Sequence, residues 1–175
     1  MKTDSAVGAE IVLVGAPGSG KSTVGELLAG RLGLDFCDVD AVIAYQSGKP
    51  IQEIFADDGE AFFRKLELDT TLRALQQPGV VSLGGGAVLA PEIRTALSSH
   101  RVVWLQVGVG AAARRVGLNE ARPLLLGNVR GTLIKLLASR TPLYQEVSSL
   151  AVATDDLGPD QVVDLILADL GRADA

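Results

Sequence analysis

The chain has 175 residues, enough for one good hydrophobic core and short for two, so a single domain over 1–175 is expected. Hydrophobic residues make up 47% of it, yet no apolar run approaches the ~20 residues that cross a bilayer, and MKTDSAVGAE lacks the apolar centre of a signal peptide, so a cytoplasmic protein without a membrane partner is expected. With 16 basic and 21 acidic residues the net charge is -5, which argues against a nucleic-acid partner, and the lone Cys37 excludes an internal disulfide.

The first element is the β-branched run Ile11-Val12-Leu13-Val14, ending in Gly15. Val24, Leu27, Leu28 and Leu32 then follow at helical spacing until Gly33 closes the pattern. Between strand and helix, Gly15-Ala16-Pro17-Gly18-Ser19-Gly20-Lys21-Ser22 matches G-x-x-x-x-G-K-[ST] in full. Glycines there let backbone N–H groups turn inward around phosphate oxygens, and the helix N-terminus adds a favourable dipole. Pro17, Gly18, Ser19, Gly20, Lys21, Ser22 and Thr23 are therefore candidate nucleotide-binding residues for ATP or GTP. Lys21 can reach the β- and γ-phosphates, and the Ser22 hydroxyl can ligate Mg²⁺.

A second strand is expected over Asp35 to Val39, and strand alternation sends Asp38 and Asp40 toward the same side, facing the glycine loop. One carboxylate could hold a magnesium water while the other accepts a hydroxyl proton from an acceptor. Either could instead cap the next helix. Helices are expected from about 40 to 77, broken near Gly48-Lys49-Pro50 and Asp57-Asp58-Gly59. In the last of them Leu68, Leu72 and Leu75 mark an inward stripe that also carries Arg64. Glu67, at i+3, can hold Arg64 in an internal ion pair, or the guanidinium can use its remaining donors to grip a substrate carboxylate.

Val80-Val81-Ser82-Leu83 reads as a third strand and runs into Gly84-Gly85-Gly86. No Lys-Ser pair follows, so this is not a second phosphate loop. Three missing side chains at the carboxyl end of a strand let an acceptor approach the backbone, although a tight turn would use the same residues. Arg101 to Val107 is a fourth strand with Trp104 as a core residue, and His100 reads as a surface residue. After Arg114-Arg115 the helical period lapses over about 117–131, which is expected to be a lid whose Arg122 closes on the transferring phosphoryl group. Arg140 tends inward like Arg64, immediately before Thr141-Pro142, where the helix is expected to end. Leu150 to Ala153 is a fifth strand, and a final helix covers about Pro159 to Leu170. Apolar strands alternating with helices indicate an α/β fold, a parallel sheet covered on both faces, with ligands at the carboxyl ends of its strands.

Taken together, the chain resembles the shikimate kinase family from about Ile11 to Leu170. The resemblance is carried by GAPGSGKS, Asp38-Val39-Asp40, Phe63-Arg64-Lys65-Leu66-Glu67, the triple glycine, Arg122-Pro123-Leu124-Leu125 and Arg140-Thr141-Pro142-Leu143-Tyr144. It implies a three-layer α/β/α P-loop kinase with a five-stranded sheet in the order 2-3-1-4-5, a core over about 9–171, and Mg²⁺-dependent transfer of the ATP γ-phosphate to the 3-hydroxyl of shikimate. By the same resemblance Lys21, Asp40 and Arg122 are catalytic, with Asp40 on the shikimate hydroxyls, and Ser22 and Asp38 serve the magnesium ion. Arg64, Arg140 and Gly84, Gly85 and Gly86 would bind shikimate, and Arg115 and Pro159 the adenine end of ATP. A monomer is expected. A gluconate or nucleoside monophosphate kinase would share the fold, loop and lid, but a nucleotide acceptor has no use for a compact carboxylate clamp. A regulatory nucleotide switch would need loops that report to an exposed surface.

Overall fold

Ile11–Val14 forms strand β1, with all four residues buried. Ile11 and Leu13 enter one apolar cluster, Val12 and Val14 another. The strand is apolar throughout because both faces of its sheet are covered. The computed structural model describes residues 8–117 and 128–173. Among them β2 (Phe36–Asp38), β3 (Val80–Ser82), β4 (Val102–Gln106) and β5 (Leu150–Ala153) complete a parallel sheet in the order β2-β3-β1-β4-β5.

The helices of the described residues are α1 (Lys21–Leu32), α2 (Val39–Ser47), α3 (Ile51–Asp58), α4 (Glu60–Leu75), α5 (Pro91–Leu97), α6 (Val109–Gly117), α7 (Val129–Val147) and α8 (Pro159–Ala173). Val24 and Leu28 of α1 and Val163 and Ile166 of α8 join the Ile11 side of the sheet. On the other side Ile43, Ile54, Phe63, Ile93, Leu136 and Tyr144, one each from α2, α3, α4 and α5 and two from α7, pack with Val12 and Val81. The result is the α/β/α sandwich expected from the sequence. Helix α6 packs on α7 through Ala112, Val116 and Leu133.

Four local expectations are corrected. Strand β2 stops at Asp38, not Val39, because the Asp38 carboxylate accepts from the Ala41 N–H at 3.3 Å and starts α2 there. Asp40 therefore lies in the first turn of a helix, so strand alternation is not what places it. On α4 the deepest face is Phe63, Glu67, Thr70, Thr71 and Leu75, with Arg64, Leu68 and Leu72 half-buried beside it. Pro142 does not end α7, which continues to Val147. The burial of Leu136 before the proline and Tyr144 after it outweighs the lost backbone bond. Finally, His100 is half-buried, with its ring nitrogen bonded to the Ala9 carbonyl at 3.1 Å.

Candidate active site

Gly15 follows β1 directly, and a Cβ there would stand 2.7 Å from the Leu105 carbonyl oxygen and 2.8 Å from Ser19 Oγ. Gly20 caps α1 at φ +89, where glycine alone is unstrained. Between them the loop curls so that Lys21 Nζ donates to the Gly15 carbonyl at 2.7 Å and the Ala16 carbonyl at 3.1 Å. Ser22 Oγ, on the first turn of α1, donates to Asp38 Oδ2 at 2.5 Å. A cavity of about 400 Å³ opens above the loop, lined by Pro17, Gly18, Ser19, Gly20, Lys21, Ser22, Thr23, Asp38, Asp40, Gly85, Arg115 and Pro159. Sequence-predicted residues from five separate stretches thus share one cavity.

At its far end the Arg115 guanidinium donates to the Gly18 carbonyl at 3.0 Å and the Thr154 carbonyl at 2.9 Å, joining the glycine loop to the end of β5. Thr154 is nearly inaccessible and its hydroxyl donates to the Gln106 carbonyl at 2.7 Å. Asp155 accepts from the Gly108 N–H at 2.9 Å, and Pro159 stands at the first position of α8. Thr154 escaped the sequence reading, although its place just after a strand was the available signal.

Asp40 and Gly85 line the cavity on the side of the three glycines, while Gly84, Gly86, Arg64 and Arg140 stand next to it rather than in its lining. A methyl group on Gly84 would lie 2.6 Å from Glu67 Oε2 and 2.7 Å from Asp40 Oδ1. One on Gly85 would lie 3.0 Å from Pro17 Cδ and 3.5 Å from an Arg140 guanidinium nitrogen. One on Gly86 would overlap the Arg64 guanidinium. None of the three has a positive φ, so their requirement for glycine is steric rather than conformational. Arg64, Asp40 and Arg140 therefore converge on one short piece of backbone from three helices.

Arg64 donates to Glu67 at 2.8 Å, and its Nε is buried without a hydrogen-bond partner. The Glu67 side chain is 3% exposed, and burial raises its pKa above the usual carboxylate range despite the Arg64 charge beside it. Arg140 is 6% exposed, an unusual place for a guanidinium. Tyr144, one helical turn on, donates its hydroxyl to the Gly85 carbonyl at 2.6 Å. In sequence it is the last residue of Arg140-Thr141-Pro142-Leu143-Tyr144, and its spacing of four from Arg140 is the signal that the two share a face. Arg122 lies outside the described residues. Asn128, within the stretch expected as a lid, caps α7 by accepting from the Gly131 N–H at 2.9 Å.

The arrangement can hold a polyphosphate at the helix N-terminus and a small anion at the arginines, with Asp40 between them. A sequence model of the shikimate kinase family matches residues 17–171. Shikimate kinase of Thermobifida fusca is 50% identical over 163 residues, covering 93% of this chain and 95% of that one. Shikimate kinase of Saccharopolyspora erythraea is 51% identical over 158 residues, 89% and 90% of the two chains. Among solved structures, shikimate kinase from Acinetobacter baumannii in complex with shikimate superposes with a TM-score of 0.83 at 34% identity, covering 93% and 94%. A gluconokinase from Sinorhizobium meliloti, at 23% identity and a TM-score of 0.62, shares the fold.

Proposed function

The chain belongs to the shikimate kinase family, and from that membership we propose how its own residues carry the transfer of the ATP γ-phosphate to the 3-hydroxyl of shikimate. The loop N–H groups and Lys21 hold the β- and γ-phosphates of ATP at the positive end of α1. Pro17 to Thr23 line this donor half, and Arg115 and Pro159 flank the adenine. Arg64 and Arg140 hold the shikimate carboxylate, while Gly84, Gly85 and Gly86 form the wall its ring lies against. Asp40 then faces the 3-hydroxyl. The hydroxyl oxygen attacks the γ-phosphorus, its proton passes to Asp40, and the bond to the β,γ-bridging oxygen breaks to release ADP. The lid expected over about 117–131 is cut back at both ends by α6, which runs to Gly117, and α7, which starts at Val129; Arg122, between them and outside the described residues, is assigned to the charge on the transferring group.

Magnesium fits the donor set at the start of α1, since Ser22 Oγ and Asp38 Oδ2 are hard oxygen groups 2.5 Å apart beside the phosphate loop. Ser22 would ligate the ion directly and Asp38 through water; when bound, the ion neutralises charge on the β- and γ-phosphate oxygens. Asp38 also holds the first turn of α2, so one carboxylate fixes both Ser22 and the helix carrying Asp40.

The observation that carries the acceptor assignment is the glycine wall. Each successive glycine faces a different group of the pocket, Asp40 with Glu67, then Arg140, then Arg64. Paired guanidiniums suit the carboxylate of a small acid, and family membership separates that acid from a nucleotide whose phosphate could use the same donors. A cytoplasmic monomer with neither nucleic acid nor membrane as partner is part of this proposal; the net charge of -5 disfavours duplex nucleic acid, and no described helix is long and apolar enough to cross a membrane. Coupled ADP-release assays with shikimate, gluconate and AMP, with the product examined by phosphorus NMR, test the assignment. Shikimate 3-phosphate is the expected product, and turnover of AMP with none on shikimate would overturn it.

A further inference from the structure

Tyr144 is 1% exposed and its ring lies 6.0 Å from that of Trp104. Apolar packing alone would be met by phenylalanine, yet the hydroxyl donates to the Gly85 carbonyl at 2.6 Å, across 59 positions of sequence. The positive charge of Arg140, one helical turn earlier on α7, acts on the same hydroxyl, and an Arg140 guanidinium nitrogen lies 3.5 Å from where a Gly85 methyl would stand. Burial pushes its pKa up to about 12, so the hydroxyl stays protonated, and a donor, throughout the physiological range.

We propose that Tyr144 is a positioning residue for the acceptor, its hydroxyl setting the Arg140 guanidinium and the Gly85 peptide in one arrangement that receives the acid. The peptide is planar and trans, so holding the Gly85 carbonyl toward α7 turns the Gly86 N–H to the opposite side. The same carbonyl belongs to the residue that abuts Pro17, so the hydroxyl also sets the wall between donor and acceptor halves. This inference rests on the reading of Arg140 as a clamp for the carboxylate.

The test uses Tyr144→Phe, Arg140→Ala and the double variant, with Kd for shikimate from calorimetry and both KM values from the coupled assay. Tyr144→Phe should raise shikimate Kd and KM about three- to tenfold, the usual worth of a neutral hydrogen bond, with the ATP KM within about twofold. In the Arg140→Ala background the same substitution should add less than about twofold, because the two act as a unit. Full additivity, or unchanged shikimate constants with only a lower urea midpoint, would make Tyr144 a packing residue and overturn the inference. Arg140→Ala without effect on shikimate would remove the clamp itself, and the inference with it, a distinguishable pattern. A measurement on the unmutated protein gives a second arm: Trp104 is the chain's single tryptophan, and saturation with shikimate should shift its emission through the Tyr144 contact. No shift would count against the link.

Discussion

Gly86→Ala would decide whether the wall is shaped to clear Arg64. Gly86 sits at φ -99, which alanine adopts without strain, so any effect comes from the added methyl alone. That methyl would lie 2.6 Å from both Cζ and Nη2 of Arg64, where ordinary contact begins at 3.4 Å. The guanidinium cannot yield easily, because it is tied to the buried Glu67 at 2.8 Å. A retreat on the order of 1 Å stretches that bond and displaces the donors meant for the substrate, an error that can cost about 100-fold in kcat/KM. The energetic route gives a similar figure, since a hydrogen bond to a charged group contributes roughly 1.5–3 kcal/mol, or about 10- to 100-fold. The shikimate KM should therefore rise about 10- to 100-fold, with the ATP KM within about twofold. Initial rates of ADP release, varying one substrate at saturation of the other, measure both, and a urea transition establishes that the variant is folded. An unchanged shikimate KM, or an equal rise in both constants, would refute the steric argument. Gly85→Ala is the less selective change, because its methyl stands 3.0 Å from Pro17 of the phosphate loop as well as 3.5 Å from Arg140.

Three further outcomes are expected. Asp40→Asn should keep ATP binding by calorimetry while lowering kcat by about 10²–10⁴, the usual worth of a general base; comparable turnover would remove Asp40 from proton transfer. Asp38→Asn retains an acceptor for the α2 cap but weakens the magnesium partner, so the Mg²⁺ concentration for half-maximal rate should rise roughly 10- to 100-fold, and an unchanged titration would dismiss the metal role. Because the Glu67 pKa is raised by burial, the native state binds more protons than the unfolded chain as pH climbs past the ordinary value of 4.5, so stability is lost with rising pH across that window. Glu67→Gln should flatten this part of the pH profile in urea titrations; an identical slope would show that Glu67 titrates normally.

The phosphate loop was legible because its requirements are local. Gly15, Gly20, Lys21 and Ser22 lie within one strand-loop-helix unit, and their spacing alone dictates where the N–H groups and the ammonium fall. Helix breaks at Gly48 and Gly59 were equally legible, each glycine taking up a positive φ, +68 and +87, at a helix end. Asp40 was placed on the right side for a reason that does not hold, since the Asp38 cap turns the chain into α2 before alternation can act. The stop expected at Pro142 gave way to packing, which local propensity does not see.

The acceptor pocket followed a different rule. Residue type and face marked Arg64, Arg140 and the three glycines as candidates, but nothing local relates residue 64 to residue 86 or 140. The β1–β3 register, Leu13 opposite Ser82, brings the triple glycine beside the phosphate loop, and only then do α4 and α7 deliver their arginines to it. Spacing determines what a segment of a few residues does with its own backbone, and so the chain alone determined the phosphate site. The Tyr144–Gly85 bond joins groups 59 positions apart, so sheet order and helix packing, which only the tertiary structure decides, set its geometry.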